Sequence, residues 1–229
     1  MTSARIIGRI MVLEKNPKTR LIVKRLLKLE DRVTGLAFPK MTRAKQITSS
    51  HCGPAVLTSL YSNFGVKASQ RGIVASLRAQ KKIKKYGLSV KDLARASRII
   101  GKGAFGFWKK ASTKVSDLNT IINKYKYPVG VEWQGVFYEF EDEDSGHYAV
   151  VTKIDKKASF LRISDPYQAF AGVDRKFKIH DFEKRWWDEN EIKLSGTSKR
   201  RLVRDNRVAF VIIPRGESWP KKLGMVKMS

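Results

Sequence analysis

With 229 residues, 42% of them hydrophobic and 10% aromatic, the chain can bury a sizeable core, which excludes global disorder. It has no apolar run of about 18 residues, which removes a spanning helix, and a single cysteine, which removes an internal disulfide and a CxxC zinc or redox site. Lys+Arg 47 against Asp+Glu 21 leaves a net charge of +26, with 22 basic and 4 acidic residues in the first hundred alone, a field that attracts polyanions.

Residues 1–45 read as a basic N-terminal extension: an apolar stretch Ile6–Leu13, a break at Asn16-Pro17, a basic helix over Thr19–Leu29 and a turn at Phe38-Pro39-Lys40. From Gln46 the core signals become denser. Cys52-Gly53-Pro54 opens a helix in which Val56, Leu60 and Phe64, with Leu57 and Tyr61 beside them, form one apolar stripe that Gly65 ends. A short helix is expected over Ser69–Ala79, and the lysine cluster Lys81, Lys82, Lys84, Lys85 as a loop after it. Ser89 and Asp92 make a capping-box variant at the head of a third helix carrying Val90, Leu93, Ala94 and Ile100 inward. Gly101–Gly106 matches GxGxxG but follows a helix rather than a strand, so it reads as a loop and not as a dinucleotide site. A fourth helix is expected from about Ser116 to Tyr125.

After Pro128 the period changes from helical to alternating. Val129–Trp133 reads as a strand, His147–Ile154 and Phe160–Ser164 as a hairpin around Asp155-Lys156-Lys157, and Arg207–Pro214 as a last β-rich run. Helices first and antiparallel strands second predict an α+β domain over 46–194, with the basic segment 195–229 completing its sheet.

The chemistry concentrates on four residues. Cys52 stands at the first turn of a helix, where unpaired backbone N–H groups and the helix dipole favour a thiolate, the nucleophilic form. His147 starts one hairpin strand and Asp165 ends the next, so both fall at the same end of adjacent strands and the carboxylate is placed to orient the imidazole. Gln46 lies six residues before the cysteine, with an amide to offer an oxyanion beside the Cys52 N–H. Together they form a complete thiol-hydrolase set. His51, next to the cysteine, is expected to point away from it, and the acidic run Glu139–Asp144 lacks calcium-loop spacing. No metal or cofactor site is expected.

The stretch from Gln46 to Leu57, the run Gly146-His147-Tyr148-Ala149-Val150-Val151, the later Leu161–Pro166, the helix start Gly87–Leu93 and the aromatic-rich Asp181–Trp187 together resemble the bacteriocin-processing, double-glycine-leader cysteine peptidases and their stand-alone relatives. The resemblance spans about residues 44–190. It implies a papain-like fold with Cys52 as nucleophile, His147 as general base and acid, Asp165 as orienter and Gln46 in the oxyanion hole. The sequence departs from the transporter-linked pattern at His51, where an acid is common. The expected activity is cleavage of a peptide-type bond in a peptide or protein substrate, in the cytoplasm, or acyl transfer through the same thioester. The rival is a non-catalytic basic module binding nucleic acid or a ribonucleoprotein, through Lys81, Lys82, Lys84, Lys85, Lys199, Arg200 and Arg201.

Overall fold

The computed structural model describes residues 40–135, 146–157, 159–193, 200–217 and 223–229, together with Ile22. Most of the expected extension 1–45, the run 139–144 and Lys199 lie outside the described residues.

Helix α1 (Cys52–Ser62) is embedded rather than striped: eight of its eleven residues are buried, including Val56, Leu57, Leu60 and Tyr61. It is sandwiched, and Gly53 shows how tightly, since a Cβ there would stand 3.2 Å from Leu93 and 3.3 Å from Tyr148. The chain turns out of α1 at Gly65, whose φ of +72° suits glycine. Ser69 caps α2 (Gln70–Ser76) by accepting from the Gly72 N–H at 3.0 Å. The lysine cluster is not a loop. It forms α3 (Gln80–Tyr86), because Ile83 is buried in the core while Lys81, Lys82, Lys84 and Lys85 face solvent. Helix α4 (Val90–Ile100) starts on the expected Ser89/Asp92 capping box. The fourth helix is split into α5 (Val115–Asn119) and a π turn over Thr120–Lys124, which still buries Leu118, Ile121 and Ile122.

The strands are β1 (Phe105–Lys110), β2 (Val129–Gln134), β3 (Gly146–Asp155), β4 (Phe160–Ser164), β5 (Asp174–Lys178), β6 (Trp187–Lys193), β7 (Arg200–Asn206), β8 (Ala209–Pro214) and β9 (Val226–Lys227), with helix α6 (Ile179–Arg185) between β5 and β6. Seven of them form one sheet in the order β5-β4-β3-β2-β8-β1-β9, and β6 and β7 pair separately. Strands β1, β5, β6, β7 and β9 are not among those the sequence predicts. Phe105–Lys110 is hidden by the glycines before it, and β5 to β7 are so rich in charge that they lack an apolar alternation.

Two cores flank this sheet. Tyr148, Val150, Phe210 and Ile212 face α1, α2 and α4, whereas Val131, Trp133, Ala149, Val151, Val211 and Ile213 face α5 and α6. That is the period-2 alternation of strands covered on both faces. Between Val151 and Lys153 the β3–β4 register slips by a bulge, which returns Ile154 to the face of Val151 despite its odd spacing. The described helices include none long and apolar enough to cross a membrane.

Candidate active site

Strand register brings the carboxylate to the imidazole. The β3–β4 pairing runs Val150 against Ser164, so the next residue, Asp165, stands near the start of β3. There His147 Nε2 lies 2.9 Å from Asp165 Oδ1, with both side chains almost fully buried. Cys52 opens α1, is partly exposed, and lies close enough to the same imidazole to help raise its pKa. With Nε2 on the carboxylate, Nδ1 is the ring nitrogen that can face the thiol.

Burial alone would lower the His147 pKa. The Asp165 charge, its hydrogen bond and the contact with Cys52 overcome that and push it up to about 10. Asp165 shows the mirror image. Its burial favours the neutral acid, but the charges of His147 and Arg175 and a hydrogen bond from the Tyr167 N–H hold its pKa below the ordinary value.

Gln46 is buried, and its backbone N–H donates to the Pro166 carbonyl at 2.9 Å. The loop entering α1 is thereby tied to the turn that carries Asp165. Nε2 of Gln46 donates to Ser49 O at 3.1 Å, which leaves its second proton uncommitted by that bond. Gln70 clamps the loop from the other side, accepting from Ile47 N at 3.1 Å and donating to Lys45 O at 2.6 Å. His51 turns its Nδ1 to the Thr48 hydroxyl, and burial lowers its pKa. His180 lies exposed on α6.

The start of β3 is held by a close approach. A Cβ on Gly146 would fall 2.2 Å from Asp188 Oδ1, so only glycine lets the β6 carboxylate lie over this strand end. Behind His147, the Tyr148 hydroxyl donates to Glu132 at 2.8 Å across β2 and β3. Among the described residues no cluster of His, Cys, Asp and Glu has the make-up of a metal site.

The Peptidase C39 family model matches residues 40–192, which take in α1, His147 and Asp165. The chain belongs to the Peptidase C39 family. It is a cysteine peptidase by family and papain-like by fold. The crystal structure of the peptidase domain of Streptococcus ComA, a bi-functional ABC transporter involved in a quorum sensing pathway, superposes on this C39 member with a TM-score of 0.50 at 19% identity, covering 75% of this chain and 97% of that one. A double glycine motif protease from an AMS/PCAT transporter, solved with its leader peptide, is similar at 13% identity and a TM-score of 0.47, over 76% of this chain and 92% of its own. No curated protein matches the C39 chain.

Arg175, Tyr167 and the Pro166 carbonyl went unnoticed in the sequence. The backbone groups of Tyr167 and Pro166 leave no trace in residue type. Arg175 sits in β5, a strand without apolar alternation, and reaches Asp165 only through sheet pairing. The expected polyanion set divides: the four lysines share α3, where Lys82 pairs with Asp92, whereas Arg200 and Arg201 belong to β7.

Proposed function

We propose that Cys52, His147 and Asp165 act as one hydrolytic unit on a peptide bond, with Gln46 and the Cys52 N–H receiving the oxyanion. The observation that carries this is a single imidazole held to Asp165 through Nε2 at 2.9 Å, with the thiol of a helix start close against it. In the first half-reaction the sulfur attacks the carbonyl carbon. The C–N bond then breaks, and the imidazolium gives its proton to the leaving amine, leaving a thioester. In the second half-reaction His147 takes a proton from water, hydroxide attacks the thioester, and the carbon–sulfur bond breaks to release acid and restore the thiolate–imidazolium pair. Asp165 keeps the imidazole turned and stabilises its charge throughout. An amine in place of that water would complete an acyl transfer with the same groups.

The motif resemblance extends the reading to substrates with a double-glycine leader. The test is mass analysis of a synthetic leader peptide incubated with the full chain. Cleavage directly after the glycine pair, lost in Cys52→Ala and lost when the second glycine becomes valine, supports both parts. Cleavage indifferent to the valine confines the reading to the peptidase unit, and cleavage by Cys52→Ala overturns that unit.

A further inference from the structure

Asp165 has two carboxylate oxygens, and only Oδ1 is explained by His147. Oδ2 receives Nη1 of Arg175 at 3.1 Å, in a pair where both side chains are almost fully buried. The guanidinium is itself fixed, its central carbon 3.5 Å from the centre of the Phe170 ring and 4.9 Å from that of Phe177. Phe170 is folded back onto it by a turn in which the Phe170 and Ala171 N–H groups both donate to Tyr167 O at 2.9 Å. Tyr167 is the residue whose own N–H donates to Asp165 Oδ1. Arginine, ring, turn and carboxylate therefore close into one ring of contacts around Asp165.

We propose that Arg175 is a positioning residue for the reaction, holding Asp165 in the rotation that leaves Oδ1 for His147 and keeping the buried carboxylate ionised. The proposal rests on the Cys52–His147–Asp165 reading above. His147 and the Tyr167 N–H both meet Oδ1, which leaves the carboxylate able to pivot about that oxygen; a charge-assisted donor on the other oxygen removes that freedom. The charged groups facing Asp165 are His147 from β3 and Arg175 from β5, with Cys52 of α1 facing the far side of the imidazole. Asp174, the neighbour of Arg175, is occupied by Arg43 at 2.8 Å and by the Thr152 hydroxyl at 2.6 Å.

The single cysteine makes the test direct, because alkylation by iodoacetamide, followed by intact mass, reports on Cys52 alone. Its rate is measured against pH for the native chain, Arg175→Gln, Arg175→Lys and His147→Ala. Without the guanidinium Asp165 takes up its proton at higher pH, and the imidazolium facing Cys52 then loses its charge partner sooner. In Arg175→Gln the acid limb is therefore expected to move up, by at most the shift of about one pH unit or more that an arginine exerts on a neighbouring carboxylate, and Arg175→Lys should bring it back towards the native position. A native profile in Arg175→Gln overturns the proposal, since a merely structural arginine would leave the limb in place. Should Arg175→Gln not fold, Arg175→Met keeps an apolar stem against Phe170 and Phe177 and removes the charge; an upward shift supports the proposal and a native profile overturns it. A His147→Ala profile identical to native overturns the underlying triad reading instead, which separates the two failures.

Discussion

Cys52 faces an imidazole that is already committed to a carboxylate on its other nitrogen, so the three groups respond to substitution as a unit. Cys52→Ala is expected to abolish peptide hydrolysis while circular dichroism stays native, because the position is partly exposed and alanine suits a helix. Asp165→Asn is expected to leave a residual rate, roughly a ten-thousandth of native, since the imidazole remains but loses its orientation and charge partner. Stability follows the two shifted groups in opposite directions. The His147 pKa is raised on folding, so its contribution is full below its ordinary 6.5 and is lost as pH rises through about 10. The Asp165 pKa is lowered, so its contribution is present above the ordinary 3.8 and is lost as pH falls through its folded value. Denaturant midpoints measured across pH should therefore show a plateau that falls at both ends, and His147→Gln should remove the alkaline fall.

Secondary-structure elements set the tolerance of the site to change. Gly146→Ala places a methyl 2.2 Å from Asp188 Oδ1, so either that carboxylate or the strand end that carries His147 must shift. We expect a loss of about 1–3 kcal/mol in stability by chemical denaturation, the usual cost of overpacking, and a larger fall in kcat than in substrate affinity. Leu57→Ala, in the fully buried middle of α1, should cost about 2–5 kcal/mol through lost contacts and a residual cavity. The α3 lysines contrast with both. They lie on the exposed face of a helix anchored by Ile83, and the Lys82–Asp92 pair is half exposed, so neutralising all four to glutamine should change stability by no more than about 1 kcal/mol.

At the scale of the whole molecule, the net charge of +26 is a matter of association rather than of chemistry. Retention on a polyanion such as heparin or nucleic acid is expected to fall steeply between low and moderate salt, as condensed counterions return. The four glutamine substitutions in α3 should flatten that dependence, and cleavage of a short neutral peptide should be unchanged by them. A salt-insensitive elution would assign the charge to solubility alone. The sheet gives a second whole-molecule expectation. Strand β8 lies between β2 and β1, past the end of the family-matched residues at 192, so truncation after about residue 195 removes an interior strand and should abolish cooperative unfolding.

Local chemistry was enough to determine the helix beginning at Cys52, the Ser89–Asp92 cap and the β3–β4 hairpin, because each depends on neighbours a few residues apart. Hairpin geometry also sufficed to predict that His147 and Asp165 share one strand end, since the register of a short connection is a local matter. Tertiary structure decided the rest. Lys81–Lys85 became helical because Ile83 found a core to enter, and the charged strands β5 to β7 formed because their partners supply the hydrogen bonds that their sequence pattern does not announce. Whether Arg175 meets Asp165 depended on β5 pairing with β4 and on Phe170 folding back over the guanidinium. Such contacts are fixed by burial and by the need to pair every charge withdrawn from water, and those demands exist only once the chain has closed on itself.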